Sequence, residues 1–222
     1  GFNNPDNLYY VARVSDRETY TITGTRGTST GFLVQAFANG LPGNGDAAGA
    51  TTAFFGDADQ HPAADGSFSI TLSAERPAAG DWMPLAPGTD NLLVRFSFLD
   101  WEREQPGSIA IARIGGSDAG PVEITPALAS AMLDDAAATI ELQAAFYVHQ
   151  ADLLTALGPN FLLGPRKAQG QQGTNVQQWN LVGNYDLTDG QALLVTIRDV
   201  PQARYGSLLS AGPWLDTFEF IH

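Results

Sequence analysis

Apolar and polar positions alternate along much of this chain, most clearly from Asn91 to Ile114. Leu92, Val94, Phe96 and Phe98 fall on one side of an extended run, and Leu93, Arg95, Ser97 and Leu99 on the other. After the link Asp100–Gly107, Ile109, Ile111 and Arg113 oppose Ala110 and Ala112. Alternation at period 2 on either side of a Pro-Gly link predicts two antiparallel strands joined as a hairpin. The same pattern predicts an earlier hairpin, Leu8–Val14 with Thr19–Gly24, joined by the polar link Ser15-Asp16-Arg17-Glu18. Gly31–Ala38 is another strand, and Asn39–Ala50, rich in Gly, Asn and Pro, reads as a long loop. Ala64-Asp65-Gly66-Ser67 turns the chain into a strand carrying Phe68, Ile70 and Leu72 on one face.

The period then changes. Thr125-Pro126 is a helix start, with Thr as N-cap and Pro at the first helical position, and Gly158-Pro159 is a stop. The Ala- and Leu-rich segment between them exceeds the usual globular helix, which predicts two helices or a break near Tyr147–Gln150. Pro159–Gln178 reads as a polar loop. Strands return at Leu181–Asp186, Ala192–Arg198, Tyr205–Leu209 and Trp214–Ile221. Strands before and after one helical block predict a mainly β fold, an antiparallel jelly-roll-like sandwich with a helical insert at about 125–158. No compositional boundary divides residues 1–222, so a single domain is expected. The abrupt opening Gly1-Phe2-Asn3-Asn4 suggests the C-terminal part of a longer protein.

Composition narrows the partners. The net charge is −13 and the sequence pI about 4.3, which argues against nucleic acid and anionic membrane surfaces. There is no cysteine, which removes disulfides, thiolate nucleophiles and Cys-ligated zinc. No apolar run approaches the roughly 18 residues that suggest a spanning helix. Neither a cytoplasmic nor an exported location is selected by these features.

Several short motifs toward the end of the chain belong together. Asn184-Tyr185-Asp186-Leu187-Thr188-Asp189-Gly190-Gln191-Ala192-Leu193-Leu194-Val195-Thr196, then Ala203-Arg204-Tyr205 and Pro213-Trp214, resemble the closing signature of the bacterial family catalogued as domain of unknown function 1214. Pro5-Asp6-Asn7-Leu8-Tyr9 and Asp100-Trp101-Glu102 are similar to its earlier segments. The resemblance implies a β-rich, jelly-roll-like domain commonly preceded by further sequence. It implies no reaction and no catalytic residues.

Candidate chemistry centres on arginines and aromatics. Arg95, Arg113 and Arg198 lie in expected strands and Arg204 opens another. In an acidic chain they either grip an anionic ligand bidentately or pair with some of the 24 acidic residues to fasten the sheet. Asp100 and Glu102 flank Trp101, where desolvation would raise a carboxyl pKa and suit acid/base work; the same residues also suit an Arg-paired turn. Trp101, Tyr205 and Trp214, with Arg95, Arg198 and Arg204, are the expected ligand-binding residues, although aromatics also cap the ends of β cores. The three histidines, His61, His149 and His222, show no metal-ligand spacing, so neither a bound metal nor a cofactor is expected. Asp57, Asp59 and Asp65 depart from calcium-loop spacing, and Gly43-Asn44-Gly45 lacks the following helix that a phosphate cradle needs.

Three functions fit these features. The leading one is binding of a small-molecule or glycan-like ligand. The second is a hydrolase or lyase using Asp100 or Glu102 as acid/base with arginine stabilising an anion. The third is an assembly protein, with homo-oligomerisation through an apolar strand at Phe218–Ile221.

Overall fold

A computed structural model describes residues 4–40, 49–116, 123–167, 175, 177–198, 202–212 and 217. The chain is mainly β. In order it forms β1 (Asn7–Arg13), β2 (Tyr20–Gly27), β3 (Gly31–Ala38), β4 (Ala50–Gly56), β5 (Ser67–Ser73), β6 (Asp81–Pro84), β7 (Thr89–Ser97) and β8 (Pro106–Arg113). These are followed by α1 (Pro126–Ala156), β9 (Phe161–Lys167) and β10 (Trp179–Asn184). Two four-stranded sheets result, in the orders β1-β7-β3-β4 and β6-β5-β2-β8, and β9 pairs with β10 by itself. Neighbours are antiparallel except β5 and β6, which run parallel.

The period-2 alternation places the core. Leu92, Val94 and Phe96 of β7 are buried with Phe32 and Val34 of β3, against Ile22 of β2 and Phe68, Ile70 and Leu72 of β5. The Phe32 ring lies 5.1 Å from Phe68 in the other sheet and 5.2 Å from Phe96 beside it. The inward faces of both sheets therefore share one hydrophobic cluster. Strand β3 is buried on both faces, since Leu33, Gln35 and Phe37 on its other side are also inaccessible.

Both expected hairpins are corrected. β1 pairs with β7, while β2 pairs with β5 and β8, so Ser15–Glu18 carries the chain from one sheet to the other. Asp16 accepts a hydrogen bond from Gly88 N at 2.7 Å and so ties that crossing to the turn before β7. β7 and β8 likewise belong to different sheets. Phe98 stays in the core beyond the end of β7, and Trp101 stacks on it at 4.1 Å, so the link is drawn across the end of the sheets. Alternation reports which face of a strand is apolar, and a crossing and a hairpin satisfy it equally well. Sheet pairing decides between them. At the β2–β8 contact a Cβ on Gly24 would collide with the Ser108 carbonyl, so glycine permits that close approach.

The expected helix is present but unbroken. Thr125 caps it, its Oγ1 accepting from Leu128 N at 3.2 Å, and Gly158 beyond its end takes φ +85°. The expected break at Tyr147–Gln150 does not occur, because no Gly or Pro interrupts the helical run after the first position. None of its residues is buried. The expected loop Pro159–Gln178 contains β9, masked in the sequence by Gly164-Pro165. Ala192–Arg198 and Tyr205–Leu209 are not strands, since no described strand pairs with them. The Trp214–Ile221 strand lies outside the described residues, apart from Thr217, which bridges to Ala211. No helix among the described residues is long and apolar enough to cross a membrane.

Candidate functional site

The outward face of the first sheet carries polar groups where a sheet facing only water would need no burial. Arg95 sits on β7 between Tyr9 of β1 and Leu33 of β3. Phe96 and its alternates fill the core, so Arg95 is turned to the opposite side. Its Nη1 donates to Oε1 of the fully buried Gln35, and its guanidinium lies over the Tyr9 ring, 5.7 Å from the centroid. Burial pushes its pKa below the ordinary value, and Tyr9 pulls the other way. Arginine stays charged under such a shift. Gln35 Nε2 donates in turn to Thr51 Oγ1 at 3.3 Å.

A second group adjoins this one. The Tyr9 hydroxyl accepts from Asn7 Nδ2 at 3.1 Å and from the Asn4 amide at 3.3 Å. Asn4 Nδ2 donates to the Tyr205 hydroxyl at 2.7 Å, and that hydroxyl donates to Asp6 Oδ2 at 2.5 Å. Burial, then the bond to Asp6, pushes the Tyr205 pKa up to about 12. Next to Tyr205, Arg204 pairs with Asp57 Oδ2 at 3.1 Å. Arg26 holds the other Asp57 oxygen and also donates to Ser29 O at 3.2 Å and to Gln60 Oε1 at 3.4 Å. Asp57 is thus clamped by one arginine from β2 and one from the C-terminal segment. Among the described residues three buried polar atoms here, Asn7 Oδ1, Gln60 Nε2 and Asp57 Oδ1, have no hydrogen-bond partner, the last being met by the ion pair with Arg26.

Three of the expected ligand-binding residues, Arg95, Arg204 and Tyr205, therefore come together around the first sheet. Arg198 does not join them and stands exposed outside any described strand or helix. Trp214 lies outside the described residues. Arg113 pairs with Glu18 at 3.6 Å. Trp101 belongs to the turn after β7, stacked on Phe98. Asp100 shapes that turn by accepting from the amides of Glu102 at 3.0 Å and Arg103 at 3.2 Å, and Glu102 is exposed. Arg95 meets Gln35 and Tyr9 and makes no ion pair with Asp100 or Glu102, and the arginine beside Asp100 is Arg103 of the same turn, at 3.6 Å.

Glu104 also belongs to this end of the sheets. It accepts from Thr30 Oγ1 and from the amides of Leu99 at 2.6 Å and Asp100 at 3.2 Å. Burial alone would raise its pKa, but these donors outweigh it and hold the carboxyl below its ordinary value. An acid four residues after Asp100 in a tight link was the available signal. Nothing local marks the bonds of Asn4 and Asp6 to Tyr205 or the arginine clamp on Asp57, for those partners are distant in sequence. Among the described residues no three of His, Asp or Glu converge as metal ligands.

No protein-family model matches the chain, and no curated protein matches it. It is similar to a crystal structure of an uncharacterized protein from Burkholderia cenocepacia, at 35% identity and a TM-score of 0.62 over 73% of this chain. The chain spans 44% of that protein's length. A Vibrio parahaemolyticus protein of solved structure is 15% identical, with a TM-score of 0.34 over 48% of this chain and 31% of its own.

Proposed function

We propose that this chain is a ligand-binding domain for a small polar or glycan-like molecule, held against the outward face of the first sheet by Arg95, Arg204 and Tyr205. The observation that carries the reading is the pair of unmet buried groups, Asn7 Oδ1 and Gln60 Nε2, beside this arginine and tyrosine network. One lacks a donor and the other an acceptor, so the polar network around Arg95, Arg204 and Tyr205 is not closed by the protein's own groups. Leaving either unmet costs about 1–3 kcal/mol. The two four-stranded sheets sharing one core support a jelly-roll-like sandwich, the architecture implied by the resemblance to the family of domain of unknown function 1214.

The experiment is calorimetric titration of the whole chain with glucuronate, a sugar bearing both hydroxyls and a carboxylate. Binding should weaken about tenfold or more in Arg95→Met, in line with the loss of a charge-assisted hydrogen bond. Arg204→Gln gives the same readout at a more exposed position, with a urea unfolding curve to show that loss of the Asp57 pair leaves the fold intact. Unchanged affinity in both variants, or no binding by the parent, rejects the site. An assembly role is the second reading, favoured by α1, which is 31 residues long and buries none of them. Light scattering that returns a monomer across the working concentration range removes it. An acid/base role for Asp100 is the third, and it would require that carboxylate to leave the turn amides it now binds.

A further inference from the structure

The sandwich is open along one side. β1 ends the order of the first sheet and β8 that of the second, so among the described residues each has one unpaired edge. Between those edges lies an apolar cavity of about 150 Å³, lined by Tyr10, Ile22, Leu92, Val94, Ile109 and Ile111. Ile22, Leu92 and Val94 belong to the core cluster, so here the core reaches the surface. Tyr10 faces inward, edge-on to Phe96, and Ile111 stands opposite the buried Ile22. Yet Tyr10 is 38% exposed and Ile111 40%. Inner-layer positions that stay wet mark sheets that are one strand short. Neither edge is guarded, for Leu8–Ala12 and Ile109–Ala112 contain no charge and no proline.

The chain carries a run that fits this opening. Ala192–Arg198 is as long as β1, at seven residues, and alternates so that Leu193, Val195 and Ile197 share one face. All seven are exposed, and none belongs to a described strand. Val195, Thr196 and Ile197 are β-branched, which suits an extended backbone. Charge orients the run. Arg13 and Arg113 close β1 and β8 beside the Ser15–Thr19 crossing, while Asp6, Asp100 and Glu102 lie at the opposite end. Asp186 and Asp189 precede the run, and Arg198 ends it. Laid antiparallel to β1, it sets its acidic start against the two arginines and Arg198 against the three carboxylates. The present pairs of those arginines, with Asp135 at 3.4 Å and Glu18 at 3.6 Å, are surface contacts that exchange at little cost.

We propose that Ala192–Arg198 of a second copy adds as a strand to the free edge of β1, antiparallel to it, and closes the open side of the sandwich. Leu193, Val195 and Ile197 then cover Tyr10 and Ile111, while the backbone hydrogen-bonds along β1. The β1 edge is favoured over that of β8 because its outer side offers the exposed Val11 to Leu194, where β8 has only Ala110 and Ala112. A second copy is the occupant because opening and run are both free in the same molecule as it stands. Two copies therefore join without either changing shape, each giving one strand and receiving one about a two-fold axis. This contact forms with or without a ligand at Arg95.

Sedimentation equilibrium of the full chain, from micromolar to several hundred micromolar, should return a monomer–dimer equilibrium. Val195→Lys in the run and Ile111→Lys in the opening should each weaken it about a hundredfold or more, the effect of burying an unpaired ammonium. Circular dichroism of both variants should match the parent, since both positions are exposed in the monomer. Mixed together, the two variants should recover association, for one keeps the opening and the other keeps the run. The amides of Leu193–Ile197 should exchange with deuterium more slowly in the dimer than in the Ile111→Lys monomer, as paired strand amides do. A chain that stays monomeric throughout, a dimer that survives both substitutions, or no recovery on mixing overturns the proposal. So does a monomer in which those amides are already protected, for the run would then be covering its own β1.

Discussion

The strands up to Arg113 and the segment from Pro126 onward follow different physical rules. In the first region each strand has an apolar face, and the faces of two sheets meet in one cluster that includes Phe96, Ile70 and Leu72, all inaccessible to solvent. In the second, a long helix has no buried residue, and Leu133 and Leu194 are 71% and 87% exposed. Both regions are rich in apolar residues, so apolar content by itself does not make a core. What differs is the spacing. Period-2 alternation sorts side chains into an inner and an outer layer, whereas the helix spreads its leucines, isoleucine and alanines around its circumference and interleaves Asp134, Asp135, Glu141 and Asp152. Among the described residues the polar contacts between the two regions include Tyr205 to Asp6 and Asn4, Arg204 to Asp57, and the exposed Arg13–Asp135 pair at 3.4 Å.

The largest expected effect is in the first region. Phe96→Ala removes a ring packed edge-on against Phe32 and Tyr10, and should cost about 3–5 kcal/mol in urea denaturation. A loss below about 1 kcal/mol would mean that the shared cluster is not the source of stability.

An intermediate effect should appear where the regions are joined. Tyr205 has its folded pKa raised to about 12 from an ordinary 10.0, so its contribution is complete below pH 10. It is lost as pH rises from about 10 through 12. The hydroxyl is half-buried, so solvent screening reduces the contribution to about 1 kcal/mol. Tyr205→Phe should therefore be the less stable protein at neutral pH and should lose less stability than the parent in the alkaline range. Parallel stability curves for the two would show that the contact to Asp6 does not hold the regions together.

The smallest effect should come from the helix. Ile140→Ser, at a position 68% exposed, should change stability by no more than about 0.5 kcal/mol in the isolated chain. A cost above about 2 kcal/mol would show that α1 packs in solution against a surface such as a second copy, and the contrast between the regions would then be one of partner rather than of spacing.

Local chemistry was enough to read much of this molecule. The alternation of Leu92, Val94 and Phe96 identified a buried face, and Thr125-Pro126 marked the first turn of the helix, because both signals act within a few residues. Arg95 was legible as a guanidinium turned away from the core for the same reason. The gathering of Arg95, Arg204 and Tyr205 was not legible as an arrangement, for Tyr205 meets Asp6 across 199 residues and Arg204 meets Asp57 on a different element. Nor were the strand partners, since β1 and β2 each satisfy alternation with any neighbour that offers a free edge. By itself the sequence determined which faces are apolar, where the helix begins, and that the surface is acidic and free of thiols. Only the tertiary structure decided which edges pair and which polar groups meet, because hydrogen bonding between strands depends on the chain's path through space and leaves no mark on the residues at either end.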